Sequence, residues 1–191
     1  MIDLEKKIAQ ITLKKLVNKS WNKLSLNDVL VKNIKKQKYI KTKNDLLKNL
    51  NRYVDSILIE KTKYLENSST KDMLFEVVMM RFDILQQNRL SFIKIYDALK
   101  KSPKNILKLF PSFLESMIVT AELANFNVNG LKGSLRLKGL FIIYLLTFHT
   151  WVGDNTLSLE KTMNALDKNL DQAEKFGKYL NWLILFHIKH L

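Results

Sequence analysis

This 191-residue chain has no cysteine, two prolines and five glycines. The missing cysteine excludes disulfide frameworks, cysteine-ligated zinc and thiol catalysis. So few prolines and glycines leave little to interrupt helices, and nothing reads as a hairpin. Catalytic signatures are missing too. There is no nucleophile elbow, no phosphate-binding Gly-rich loop and no paired-histidine zinc motif. No enzymatic activity and no cofactor are therefore expected. Acidic residues are scarce, 18 against 32 Lys and Arg, for a net charge of +14. The start, MIDLEKK, has no apolar core of a secretory signal. The longest uncharged run, residues 139–153, is short for a spanning helix. A soluble, cytoplasmic protein is the expectation.

The basic excess is uneven. Residues 1–66 carry 16 Lys and Arg against 7 Asp and Glu; residues 67–191 carry 16 against 11. It peaks in residues 32–43, KNIKKQKYIKTK, where six of twelve residues are Lys and none is acidic. Such a stretch between short helices is what a helix-turn-helix offers to phosphates. The DNA-contact residues expected here are Lys32, Lys35, Lys36, Gln37, Lys38, Tyr39, Lys41 and Lys43.

Hydrophobic spacing then sets out the helices. Leu4, Ile8, Ile11 and Leu16 define a first helix ending near Trp21. Ser25 caps a second over residues 26–33, and a third covers residues 34–40. Thr42 with Asp45 makes a capping box opening a long helix striped by Leu46, Leu50, Val54 and Ile57. The polar run 67–70 is a break, and Ser69 with Asp72 repeats the capping signal. Further helices follow over about 70–88 and 90–101, then from Ser102-Pro103. Pro111 is expected to break or kink that last one. Residues 125–133 read as a loop. Residues 135–151 are apolar almost all round, which predicts burial or an interface. From Leu159 the apolar positions Leu159, Met163, Leu166 and Leu170 alternate four and three, a seam expected to form a homodimer interface.

Met and aromatic residues on three of these helices, Met79, Phe82, Phe113, Met117, Tyr144, Phe148 and Trp151, are expected to line a pocket for an apolar small molecule or lipid. His149 is expected in the core or that pocket. His187 and His190 have no third ligand nearby, so no metal site is expected.

The order of elements, a short N-terminal helical trio before a larger bundle ending in two long helices, resembles the TetR-type regulators. The stretch from Trp21 through Ser25 to Val29 resembles that family's link between its first two helices. Tyr39 followed by Thr42, Lys43, Asp45, Leu46 and Leu47 resembles the opening of its fourth helix. The run from Phe75 to Gln86, and Gly133 to Leu140 with Trp151, Asp154, Thr162 and Asp167, resemble a subgroup common in alphaproteobacteria. The resemblance implies an all-α, TetR-like fold: a helix-turn-helix-like DNA-binding domain at 1–48, and a helical ligand-binding and dimerisation domain at 49–191. The implied function is ligand-responsive transcription regulation. Residues 33–38 lack the usual Gly and fall about four residues short of a full turn and recognition helix, so the helix-turn-helix is degenerate. A related branch, the TetR-fold lipid-binding accessory proteins of ubiquinone biosynthesis, lacks DNA binding and resembles this chain around Tyr144, Trp151, Asp154 and Thr162. Its terminal amphipathic helix has a counterpart in residues 179–191, from Tyr179 to Leu191, which suggests contact with a membrane surface.

Overall fold

The computed structural model describes residues 3–30 and 39–188, with Pro103 and residues 178–188 as backbone alone. Among the described residues the protein is all-α. The helices are α1 (Asp3–Asn18), α2 (Leu26–Val29), α3 (Lys43–Thr62), α4 (Thr70–Gln86), α5 (Arg89–Leu99), α6 (Pro103–Leu123), α7 (Gly130–Gly153) and α8 (Glu160–Ile188), with a 3-10 turn at Trp21–Lys23.

Local chemistry explains where they start. Ser25 and Asp28 form a complete capping box on α2, each side chain bonding the other residue's backbone N–H. Thr42 and Asp45 do the same for α3, and Ser69 accepts the Asp72 N–H at the start of α4. Each box satisfies donors a helix N-terminus leaves open. Asp154 is the strongest such anchor. Buried in the α7–α8 turn, it accepts the Thr156 N–H at 3.0 Å and hydroxyl at 2.6 Å on one oxygen, and the Thr162 N–H at 2.9 Å and hydroxyl at 2.8 Å on the other. Burial would raise its pKa, but these four bonds outweigh it and hold the carboxyl well below the usual carboxylate range. Gly133 is obligatory for packing: a Cβ there would lie 2.0 Å from the Val128 carbonyl carbon.

The apolar interior has two centres. One gathers Ile8, Leu13, Leu16, Trp21, Leu24 and Val29 against Leu46, Leu47 and Leu50 of α3, and is closed by Ile95 of α5 and Leu109 of α6. The other gathers Val54 and Leu58 of α3 with α4, the second half of α6, α7 and α8. The division falls inside α3, between Leu50 and Val54, so one rigid helix belongs to both. Within the second centre α4 is the middle helix, burying Met73, Leu74, Val77, Val78, Arg81, Phe82, Ile84 and Leu85.

Several sequence expectations need correction. Helix α2 ends at Val29, short of residue 33. The third helix expected at 34–40 lies mostly outside the described residues, and Tyr39 and Ile40 are not helical. Pro111 does not break α6. Its ring removes the N–H that would bond the Leu107 carbonyl, but Pro111 is exposed and Leu107 is 73% exposed, so water can reach that carbonyl. The heptad seam packs within the chain: Leu159, Leu166 and Leu170 are buried in the second centre, and only Met163 of the four is exposed. A four-three repeat identifies a face that meets a helix; here the partners are α7 and α4.

Helix α7 has two apolar faces. Leu140, Ile143, Thr147 and Trp151 are buried. Leu131, Leu135, Ile142, Leu145 and Leu146 form a solvent-facing stripe, each at least 46% exposed, with Lys138 and His149 alongside. His149 is thus a surface residue, not a core or pocket one. By length and composition α7 is the helix, among the described residues, that reaches the dimensions of a membrane span.

Candidate ligand-binding site

A cavity of about 220 Å³ lies where α3, α4, α5, α6 and α7 converge, between the two apolar centres. At ~15–30 Å³ per water-sized group, that is room for on the order of ten such groups. Its walls are mostly apolar: Leu47, Leu50 and Val54 from α3; Phe92, Ile95 and Leu99 from α5; Leu109 and Phe113 from α6; Phe141 and Phe148 from α7. Ile106 and Leu145, also in the wall, are 40% and 46% exposed, so the cavity reaches the surface between α6 and α7. Phe110 and Phe141 meet edge to face at 5.3 Å beside that opening.

Polar groups enter the wall at few points. Arg81 of α4, Asn51 of α3 and Ser112 of α6 stand together there. Arg81 is 2% exposed and forms a buried ion pair with Asp55 of α3. Its second terminal nitrogen donates to Asn51 Oδ1 at 3.0 Å. Asn51 in turn donates to the Ser112 carbonyl at 2.8 Å. The other Asp55 oxygen accepts the Ser116 hydroxyl at 2.5 Å. The Tyr144 ring lies under the guanidinium, 5.6 Å from Cζ. Burial disfavours the arginine's charge, yet Tyr144 and Asp55 more than offset it and hold its pKa above the ordinary value. Arg81 is therefore a permanent cation with a neutralising partner. The network joins α3, α4 and α6 behind the cavity.

The residues expected in a pocket divide into two groups. Phe113, Tyr144 and Phe148 line the cavity. Met79, Phe82, Met117 and Trp151 stand behind it. Phe82 is fully buried and stacks on Tyr144 at 5.4 Å. Met117 is 1% exposed, and Met79 is half-buried against the same core. Trp151 anchors the end of α7. Its indole N–H donates to Gln86 at 3.1 Å, and Arg89 lies 4.9 Å over its ring while donating to the Trp151 and Val152 carbonyls.

Sequence reasoning missed Arg81, Asp55, Asn51, Ser112 and Ser116 as a unit. Its signal was present: Arg81 falls on the same helical stripe as Leu74, Val77, Val78 and Phe82, and a charge on such a stripe is buried only with a partner.

Of the expected DNA contacts, Lys32, Lys35, Lys36, Gln37 and Lys38 lie outside the described residues. Tyr39 is 73% exposed and Lys41 is exposed. Lys43 points elsewhere. Its ammonium donates to the Trp21 carbonyl at 2.6 Å and the Asn22 carbonyl at 3.2 Å, and sits 5.1 Å over the Trp21 ring. Those bonds turn its charge into a brace between α3 and the Trp21 turn. Partial burial lowers its pKa. The tail expected to meet a membrane is described only as the backbone of α8 as far as Ile188. Among the described residues, no group of three or more His, Cys, Asp and Glu is placed to hold a metal. No protein-family model matches the chain, and comparison with curated proteins finds no match either.

Proposed function

We propose that this protein binds a mostly apolar small molecule or lipid chain, as a TetR-like helical protein of the lipid-binding accessory type, and does not read DNA sequence. The observation that carries this reading is the apolar cavity enclosed by five helices and open between α6 and α7. Ligand sites of this kind are concave and apolar, with a few placed polar groups. Apolar side chains at the opening, Ile106 and Phe110 on α6 with Leu145 on α7, are exposed and give a greasy molecule a path inward. The α7 stripe is also the face this reading assigns to self-association, as a homodimer, since the α8 seam is already occupied within the chain.

A second reading, a ligand-responsive DNA-binding regulator, is favoured by one observation. Tyr39 and Lys41, at the end of the basic segment, are exposed beside the start of α3. That reading requires base contacts from a recognition helix in the major groove.

Two assays separate them. The neutral apolar dye N-phenyl-1-naphthylamine should bind saturably, and filling the cavity by Phe113→Trp should abolish the signal. Duplex DNA from upstream of the gene should bind weakly and without sequence preference. If instead DNA binds with preference and a log–log salt slope near about −5, the value for six phosphate contacts, while the dye does not bind, the regulator reading replaces this one.

A further inference from the structure

The first half of α6 presents apolar and cationic side chains on one surface, beside the mouth of the cavity. Leu109, Ser112 and Ser116 turn inward and are buried, so positions 104, 107, 108 and 111, three and four apart, share the solvent face. Leu107 is 73% exposed there, with Lys104 and Lys108 exposed beside it. Ile106 and Phe110, 40% and 41% exposed, continue the apolar strip to the mouth.

The charge of this surface has one sign. Between Asp97 and Glu115 the chain carries four lysines and no acidic residue. Lys100 is occupied by Asp97 at 2.6 Å, whereas Lys101, Lys104 and Lys108 are exposed and form no ion pair among the described residues. Helix α3 runs parallel beside α6, with Asn51 against Ser112 and Asp55 against Ser116. Its exposed residues in this stretch include Lys48 and Arg52, and no acidic residue stands between Asp45 and the buried Asp55.

A partner for this surface has to match both properties. Duplex DNA would meet the cations but leave Leu107 and Phe110 without an apolar contact. An uncharged apolar partner would leave the lysines unmatched. The surface of an anionic bilayer meets both: acidic head groups lie where lysine side chains reach, and acyl chains begin just beneath them.

We propose that this α6 face docks on a bilayer containing anionic lipid and so sets the cavity mouth against the acyl region. The docking stands on this surface alone; delivery of a lipid into the cavity rests on the function proposed above. The α7 stripe assigned to self-association lies across the mouth and is not part of this surface.

The chain has no cysteine, so Leu107→Cys takes a single environment-sensitive label, the nitrobenzoxadiazole fluorophore. Val17→Cys on α1, where Val17 is 49% exposed, is the comparison. Each labelled whole chain is mixed with vesicles of phosphatidylcholine alone, and of about three parts phosphatidylcholine to one part phosphatidylserine. The label at 107 should brighten and shift to the blue on the anionic vesicles only, and the label at 17 should not respond. In co-sedimentation of unlabelled protein, Lys104→Gln with Lys108→Gln should weaken binding about 25-fold, at about fivefold per cation. Leu107→Asn should weaken it about tenfold, and Lys14→Gln with Lys15→Gln on α1 less than about twofold. A response at 17 and not at 107, or equal losses from the two lysine pairs, overturns the proposal, because net charge then drives binding. Brightening at 107 without vesicles that rises with protein concentration overturns it in favour of a second copy. Indifference to vesicles overturns it too, and assigns the surface to nucleic acid if duplex DNA binding is lost in the Lys104, Lys108 variant. Dye binding, read without vesicles, separates the two claims: docking lost with dye binding kept overturns this proposal alone, and the reverse overturns the cavity reading alone.

Discussion

The N-terminal unit and the larger bundle use charge and apolar surface in opposite ways. In the first, Lys43 braces a turn, Lys19 pairs with Asp28 at 2.7 Å near the surface, and Asp28 and Asp45 close capping boxes. Its interior holds no ion pair among the described residues, and its buried polar side chains Thr12 and Asn49 donate to the backbone carbonyls of Ile8 and Glu5. The bundle buries an Arg–Asp pair beside a cavity, and leaves a row of Leu and Ile on α7 in solvent. Neither choice favours stability by itself: a buried pair is often no better than an apolar replacement, and exposed stripes invite association. Ordinary packing accounts for the first region. The second carries the cavity and the exposed apolar face on which the proposed function rests.

Breaking the buried pair should have the largest effect. Asp55→Ala leaves Arg81 charged and alone, and should cost about 3–5 kcal/mol. Thermal unfolding followed by circular dichroism measures it. Replacing both partners, Asp55→Leu with Arg81→Met, should recover much of that loss.

Next comes the α7–α8 anchor. Asp154→Ala frees two hydroxyls and two N–H groups, and should cost about 2–3 kcal/mol at neutral pH, from lost charge-assisted bonds. The sign with pH follows from the depressed folded pKa. The contribution is fully present above the unfolded aspartate value of about 3.9 and fades as pH falls further toward the folded one. Wild type and Asp154→Ala should therefore converge in stability on acidification below about pH 4. A constant difference down to pH 2 would contradict this.

In the N-terminal unit, Thr42→Ala removes one cap and should cost about 1 kcal/mol with no change in ligand affinity. A loss of affinity there would blur the contrast between the regions. Smallest in stability is Leu135→Asp with Leu146→Asp on the exposed α7 stripe, within about 0.5 kcal/mol each. Sedimentation velocity should show the pair converting a dimer to a monomer; unchanged sedimentation would leave α7 without its proposed partner.

What the sequence disclosed follows how far apart the interacting residues are. The capping pairs Ser25 with Asp28, Thr42 with Asp45, and Ser69 with Asp72 are three residues apart and were legible as local chemistry. The seam from Leu159 to Leu170 was legible as a face, but periodicity does not say which helix covers it, and a partner chain was expected where α7 and α4 stand. Aromatic density pointed to α4, α6 and α7 but not to α3 and α5, which also line the cavity. It could not separate Tyr144 and Phe148 in the wall from Phe82 and Met117 behind it, because spacing within a helix does not say which neighbouring helix each face meets. Asp55 and Arg81 are 26 residues apart on different helices, so only their unusual placement among apolar neighbours hinted at a pair.

The central claim is that the five-helix cavity takes an apolar ligand. Calorimetric titration of decan-2-one into wild type and Phe113→Trp tests it most directly. Wild type should show saturable one-to-one binding with a negative heat-capacity change, the mark of apolar burial, and the filled variant should bind at least about tenfold more weakly. No binding heat in wild type across temperatures, or equal affinity in both proteins, would contradict the claim.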